Sequence, residues 1–343
     1  MKIIIPMAGL GKRMRPHTLT IPKPLIPVAG KPMVQRIVED LAGVCPEKIT
    51  EIAYVISHSF GKEAENNLIA VAKTLGAAGK IYYQDEPLGT AHAILCAKDS
   101  LDGKTLIAFA DTLFIPDRSA KVDTNKDGII WVQKIQDPRA FGVVKLDKDG
   151  VITDFVEKPQ NFISDLAIIG IYYFKDGAYL KKEMQFLIDN NLKEKGEFQL
   201  TSAMENMKQK GTKFVTSQVA EWLDCGNKDA TVYTNQRILD VYYKDQTTND
   251  NAEGIPSGQT TNSKLIPPYT IGKNVVILNS TIGPYVSIGD NCVIENSTVK
   301  NSIIQSNTKI KNATLSNSML GNFVEYSGTS SDASVGDYSV IKN

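Results

Sequence analysis

Histidine is scarce in this chain of 343 residues: His17, His58 and His92 are the only three, and none follows position 92. None stands next to a Cys or Ser in a triad-like pattern, which argues against a serine- or cysteine-type hydrolase. The four cysteines, Cys45, Cys96, Cys225 and Cys292, lie far apart and form no CxxC pair. They build neither a disulfide framework nor a zinc site, and a reducing compartment suits them. No apolar run approaches the roughly 18 residues a membrane span needs. The opening Met1-Lys2-Ile3-Ile4-Ile5-Pro6 is too short for a signal peptide and lacks a small-residue cleavage site. The expectation is therefore a cytoplasmic protein without membrane association. Net charge is lacking too: 38 Lys plus Arg balance 38 Asp plus Glu, unlike a general nucleic-acid binder. The most local absence is of acids. Residues 1–38 hold seven cations (Lys2, Lys12, Arg13, Arg15, Lys23, Lys31, Arg36), and the first acid is Glu39. A positive field on a neutral chain points to a small, highly charged anion as ligand.

What is present divides into three stretches. Residues 2–7 read as a buried strand running into a glycine-rich turn at Gly9 and Gly11. Met33, Val34, Ile37, Val38 and Leu41 share one helical face over 32–43, and Phe60, Ala64, Leu68, Ala72 and Leu75 share another. Strands are expected at Glu51–Ser57, Lys80–Tyr83 and Thr105–Ala110, with a helix over Thr90–Ala97. This alternation predicts a mainly parallel sheet flanked by helices. From 128 to 175 strands dominate, and Gly142–Leu146 and Val151–Val156 flank the turn Asp147-Lys148-Asp149-Gly150 as a hairpin. Helices follow over about 177–190, 199–209 and 228–243. The division expected is a first domain at 1–243, a polar linker at 244–263 and a last domain at 264–343.

The last stretch is a repeat. Ile271, Ile277, Ile282, Ile288, Ile294, Val299, Ile304, Ile310, Leu315 and Leu320 recur at spacings of five or six. The five-residue units carry Asn at their third position: Asn279, Asn296, Asn301, Asn312 and Asn317. That period is too short for helical repeats and too regular for a disordered tail. It predicts a parallel β-helix, with the aliphatics stacked in one core. Such a surface makes contacts between copies through residues 265–343 an expectation, without a subunit number.

The chemistry is expected at the front of the chain. Gly9-Leu10-Gly11-Lys12-Arg13-Met14 is not a dinucleotide fingerprint, because Met14 stands at the third glycine. Nor is it a P-loop, because Pro6 and Arg13 stand where Gly and Ser or Thr are needed. Glycines still let backbone N–H groups approach phosphate oxygens, and Arg13 offers a forked donor set. Pro22-Lys23-Pro24-Leu25-Ile26-Pro27 reads as a stiffened extended segment holding Lys23 toward the same phosphates. Together with Lys31-Pro32-Met33, these residues closely resemble the signature of the sugar-phosphate nucleotidyltransferase family, G-x-G-x-R-[ML] followed by K-P-L-[IV]-P-V-x-x-K-P-[ML].

Further segments match in the family's order, and their roles are what the resemblance implies. The fold it implies is a Rossmann-like α/β domain, its mixed, mainly parallel sheet flanked by helices, followed by a left-handed parallel β-helix. Ala8, Gly9, Gly11 and Arg13 would hold the triphosphate, with Gln84, Gly89 and Thr90, in Gln84…Pro87-Leu88-Gly89-Thr90-Ala91-His92, at the base. Asp111, in Ala110-Asp111-Thr112, and Asp224, in Trp222-Leu223-Asp224-Cys225-Gly226, would be the carboxylates on Mg²⁺. Gly142, Glu157, Lys158 and Glu197 would bind the sugar phosphate, from Phe141-Gly142-Val143-Val144, Glu157-Lys158-Pro159 and Gly196-Glu197-Phe198-Gln199-Leu200-Thr201. Arg13, Lys23 and Lys158 would be the catalytic cations. Thr112 and Ser202 depart from the usual Asn and Asp. By itself, an Asp at a strand end is more often a turn or cap residue, and Lys158 a solvated charge; Trp222 reads as core and His92 as a packing or capping residue.

The implied activity joins a nucleoside triphosphate, UTP or dTTP, to a sugar 1-phosphate, glucose 1-phosphate by preference, and releases pyrophosphate. A mannose-1-phosphate guanylyltransferase and a non-catalytic regulatory homologue are the alternatives. An acyltransferase activity of the β-helix is disfavoured, since such domains use a His base and none follows His92.

Overall fold

The structure, a computed structural model, describes residues 1–117, 119, 121–246 and 258–342. Its chain contacts divide into two compact units, Met1–Gly9 with Val34–Trp222, and Leu10–Met33 with Leu223–Asn343.

The first unit is a mixed α/β layer structure. The strand Lys2–Pro6 runs at the centre of its sheet, parallel to Glu51–Ile56 on one side and Thr105–Ala108 on the other. Ala78–Tyr83 extends the parallel half. Leu166–Phe174 then pairs antiparallel with Thr105–Ala108 and leads into an antiparallel half containing Gly128–Lys134, Gly142–Leu146 and Ile152–Glu157. Ile3, Ile4 and Ile5 are all fully buried, as expected of a central parallel strand covered on both faces. The hairpin expected around Asp147–Gly150 forms, with Asp147 Oδ1 accepting from the Asp149 and Val151 N–H groups. Helices at Gly61–Thr74, Thr90–Cys96, Gly177–Asp189 and Leu200–Gln209 lie within one or two residues of their expected positions. Ala64, Leu68 and Ala72, three of the five periodic positions in the first of these, are buried.

The second unit is built on a parallel β-helix of three strands per coil. Successive coils pair in register at Ile271↔Ile288, Ile288↔Ile304, Ile304↔Leu320 and Leu320↔Val335. Nine of the ten periodic aliphatics are buried to within 2% exposure, Ile271 being the half-buried exception. Each such side chain contributes about 2 kcal/mol on burial, and the gain is repeated at every coil. The asparagines turn the corners. Asn279, Asn296, Asn301, Asn312 and Asn317 have φ between 40° and 51°, a left-handed conformation that Asn tolerates better than most residues. Their amides stack as ladders: Asn262 Nδ2 donates to Asn279 Oδ1 at 2.9 Å, and Asn279 Nδ2 to Asn296 Oδ1 at 3.2 Å. A buried serine ladder runs beside them, Ser263 Oγ accepting from Ser280 N and Ser280 Oγ from Ser297 N, each at 3.0 Å.

Two expectations change. Pro22–Pro27 is not extended throughout: Lys23–Leu25 is a 3₁₀ turn, closed by Leu25 N donating to Pro22 O, with extended residues at both flanks. Pro24 presets a φ that suits such a turn and has no N–H to leave unpaired. The β-helix begins earlier than residue 264, because Gln259–Thr261 already pairs with Val276–Leu278. Past Leu320, the last of the periodic aliphatics, it runs on through Glu325–Ser330, Ser334–Val335 and Val340–Lys342, within the stretch expected for it. There Tyr326 stands opposite Ile310 and Ser330 opposite Leu315 in place of the regular aliphatics, which hides the period. Of the expected linker at 244–263, residues 247–257 lie outside the described residues.

Candidate active site

The front segment is placed residue by residue by its own turns. Met7 N donates to Val55 O, ending the first strand, and Ala8 and Gly9 follow with little cover. Gly11 has φ +59°, and a Cβ there would come within 3.0 Å of Lys23 Cβ and Thr18 Cγ2. Glycine is thus required both by conformation and by close approach. Lys12–Met14 forms one 3₁₀ turn, with Met14 N donating to Gly11 O, and it leaves Arg13 exposed. Gly226 reports what Arg13 faces. A Cβ there would lie 3.4 Å from Arg13 Nη1 and 2.8 Å from Asp224 Oδ2. Gly11, Arg13, Lys23 and Asp224, spread over more than 200 positions, therefore meet in the β-helix unit.

In the α/β unit a second group assembles. Leu88–Ala91 is laced to Phe198: Phe198 N donates to Leu88 O, and Ala91 N to Phe198 O. Gly89 has φ +119°, and a Cβ on it would sit 2.5 Å from Phe198 O, so no side chain fits. Thr90 Oγ1 donates to Gln199 Oε1 at 3.1 Å and accepts from Leu200 N. Gln199 Nε2 donates to Glu197 Oε2 at 3.1 Å, and Thr201 Oγ1 to Glu157 Oε2 at 3.4 Å. A Cβ on Gly142 would lie 3.0 Å from the same Glu157 oxygen. Gln199 thereby joins Thr90 to Glu197, and Thr201 holds Glu157 beside Gly142.

Lys158 pairs with Glu157 at 3.5 Å and has φ +44°, rare for a residue with a side chain. Strain of about 1–3 kcal/mol is kept where surroundings over-determine the backbone. Here they do: Lys158 N donates to Phe141 O, and Lys195 Nζ donates to the Glu157 and Lys158 carbonyls at 2.8 and 2.6 Å. Lys195 went unnoticed in the sequence; its place just before Gly196-Glu197 was the one signal. Gln84 Nε2 lies 3.1 Å from His92 Nδ1, so His92 makes a polar contact besides packing. Burial lowers the His92 pKa, with Glu86 opposing. Ser202 Oγ donates to Glu194 Oε2. Trp222 stacks edge-on against Phe141 at 5.1 Å, and its buried Nε1 finds no hydrogen-bond partner among the described residues. Asp111 precedes the strand Thr112–Ile115 in the α/β unit.

Among the described residues no three His, Cys, Asp or Glu side chains form a metal cage. No helix among them is long and apolar enough to cross a membrane.

The chain belongs to the nucleotidyl transferase family, whose model matches residues 2–241. It is 32% identical over 249 residues to the low-salt glycan biosynthesis nucleotidyltransferase Agl11 of Haloferax volcanii, covering 70% of this chain and 66% of that one. It is 30% identical over 307 residues to a glucose-1-phosphate thymidylyltransferase of Streptomyces antibioticus, covering 83% and 82%. A crystal structure described as a glucose-1-phosphate thymidylyltransferase of Bacillus anthracis shares the fold, with TM-score 0.56 and 22% identity over 68% of this chain and 93% of that one.

Proposed function

We propose that this chain, a nucleotidyltransferase acting on sugar phosphates, transfers the nucleotidyl group of dTTP or UTP to glucose 1-phosphate in a single in-line displacement. The supporting observation is the meeting of Gly11, Arg13, Lys23 and Asp224 around one glycine-rich turn.

The sugar phosphate is already an anion at neutral pH, so the attack needs no general base. The difficulty is charge. Two like charges about 4 Å apart cost roughly 4 kcal/mol at an effective dielectric near 20. Arg13, Lys23 and Lys158 offset that repulsion, and the loop N–H groups around Gly9 and Gly11 orient the triphosphate. Gln84 and the Gly89 backbone hold the base, while Gly142, Glu157 and Glu197 hold the sugar hydroxyls. Family members generally use a divalent metal. A donor set without a three-ligand cage suits Mg²⁺, which takes one or two carboxylates and completes its shell with water and phosphate. Asp111 and Asp224 are the residues that would hold it. When bound, the ion polarises the α-phosphoryl group and neutralises charge on the departing pyrophosphate.

The test is pyrophosphate release across five nucleoside triphosphates and the common sugar 1-phosphates, with chirally labelled α-phosphorus. Expected are a preference for dTTP or UTP with glucose 1-phosphate, and inversion. Retention at phosphorus would rule out the single displacement, and a preference for GTP with mannose 1-phosphate would replace the substrate assignment.

A further inference from the structure

The glycine-rich turn is followed by a segment fastened at both ends to the β-helix. At one end, His17 is fully buried with its Nε2 3.2 Å from Ser334 Oγ, and Thr20 Oγ1 donates to Asp337 Oδ2 at 2.7 Å. A Cβ on Gly336 would come within 2.9 Å of Pro16 Cβ, so the coil and the segment are in close contact. At the other end, Ala29 N donates to the fully buried Asn235 Oδ1 at 2.8 Å, and that oxygen also accepts from Ser287 Oγ at 2.6 Å. Ser287 belongs to the second coil and Ser334 to the last complete coil described.

The anchored residues are bonded in turn to the turn that bears Arg13. Thr18 Oγ1 donates to Gly11 O at 2.9 Å, and His17 N donates to Met14 O at 3.0 Å. A glycine-containing loop loses more conformational entropy on ordering than any other kind, and a ligand that must order it binds more weakly. Anchors that order the loop beforehand remove that cost from binding.

We propose that the last coil of the β-helix sets the affinity of the glycine-rich loop for polyphosphate, with Ser334 and Asp337 acting through His17 and Thr20 as positioning residues. This rests on the reading of Gly11 and Arg13 as the triphosphate site. It gives the β-helix a part in substrate binding.

The experiment uses the full chain and inorganic tripolyphosphate with magnesium, titrated calorimetrically, so that neither base nor sugar enters. The double variant Ser334→Ala/Thr20→Val removes one hydroxyl from each side of the contact. Its dissociation constant is expected to rise five- to tenfold, while Ser334→Thr/Thr20→Ser, which keeps both hydroxyls, is expected to stay within twofold of the parent. Unchanged affinity in the first variant, or equal loss in both, would overturn the proposal while leaving the phosphate site intact. A parent protein that binds no tripolyphosphate would overturn the loop's assignment, and this proposal with it.

Discussion

The two units hold themselves together at different ranges. In the β-helix, partners recur one coil apart, as in Asn279 with Asn296, 17 residues on, and Ser302 with Ser318, 16 residues on. In the α/β unit, the bonds that build the candidate site join Thr90 to Gln199 and Glu157 to Thr201, separations of 109 and 44 residues. A short period repeats the same local solution, so its core adds up coil by coil. A site assembled from distant segments depends on the whole sheet being in register. The glycine-rich segment crosses this division, for it stands at the front of the chain yet packs with the repeats near its end.

That contrast can be broken at several points. The largest effect is expected from the charged groups. On the proposed function, Asp111→Asn and Lys23→Ala should each lower turnover by roughly 10²- to 10⁴-fold, since one would lose a metal carboxylate and the other a cation for the phosphates. Circular dichroism should show both variants folded, and near-normal rates would refute the site. Next comes the repeat core. Ile294→Ala, at a fully buried position, should cost about 3 kcal/mol in denaturant unfolding. A loss under 1 kcal/mol would deny the stacked aliphatics their role.

The contact between the front segment and the last coil is expected to be sensitive to pH. Burial lowers the His17 pKa from 6.5 to about 4, with Asp337 opposing and Lys228 assisting. The unfolded chain therefore binds the extra proton first. Stability is full above about pH 6.5 and falls as the pH drops toward 4, by up to about 3 kcal/mol for a shift of this size. His17→Asn should flatten that slope, as urea titrations at pH 7 and pH 5 would show. The smallest effect should come from a ladder corner. Asn296→Ala forces alanine to a φ of 50° and deletes two amide contacts, and should cost about 1–2 kcal/mol. Asn296→Gly removes the contacts alone and should cost less; equal losses in the two variants would show that the ladder outweighs the corner.

The sequence by itself determined the kind of each element and most of the repeat. Hydrophobic period 3.6 at Ala64, Leu68 and Ala72 and the spacing of Ile277 to Leu320 are local signals, and local geometry answers to them. It also singled out the glycines, Arg13 and Lys23, because few residue types suit a polyphosphate. Only the tertiary structure decided that Lys195 clamps the strained Lys158 carbonyl, that His92 touches Gln84, and that His17 is buried against Ser334. Those bonds span 8 to 317 residues without a period, and the chain reports such neighbours only after the sheet and the coils have closed.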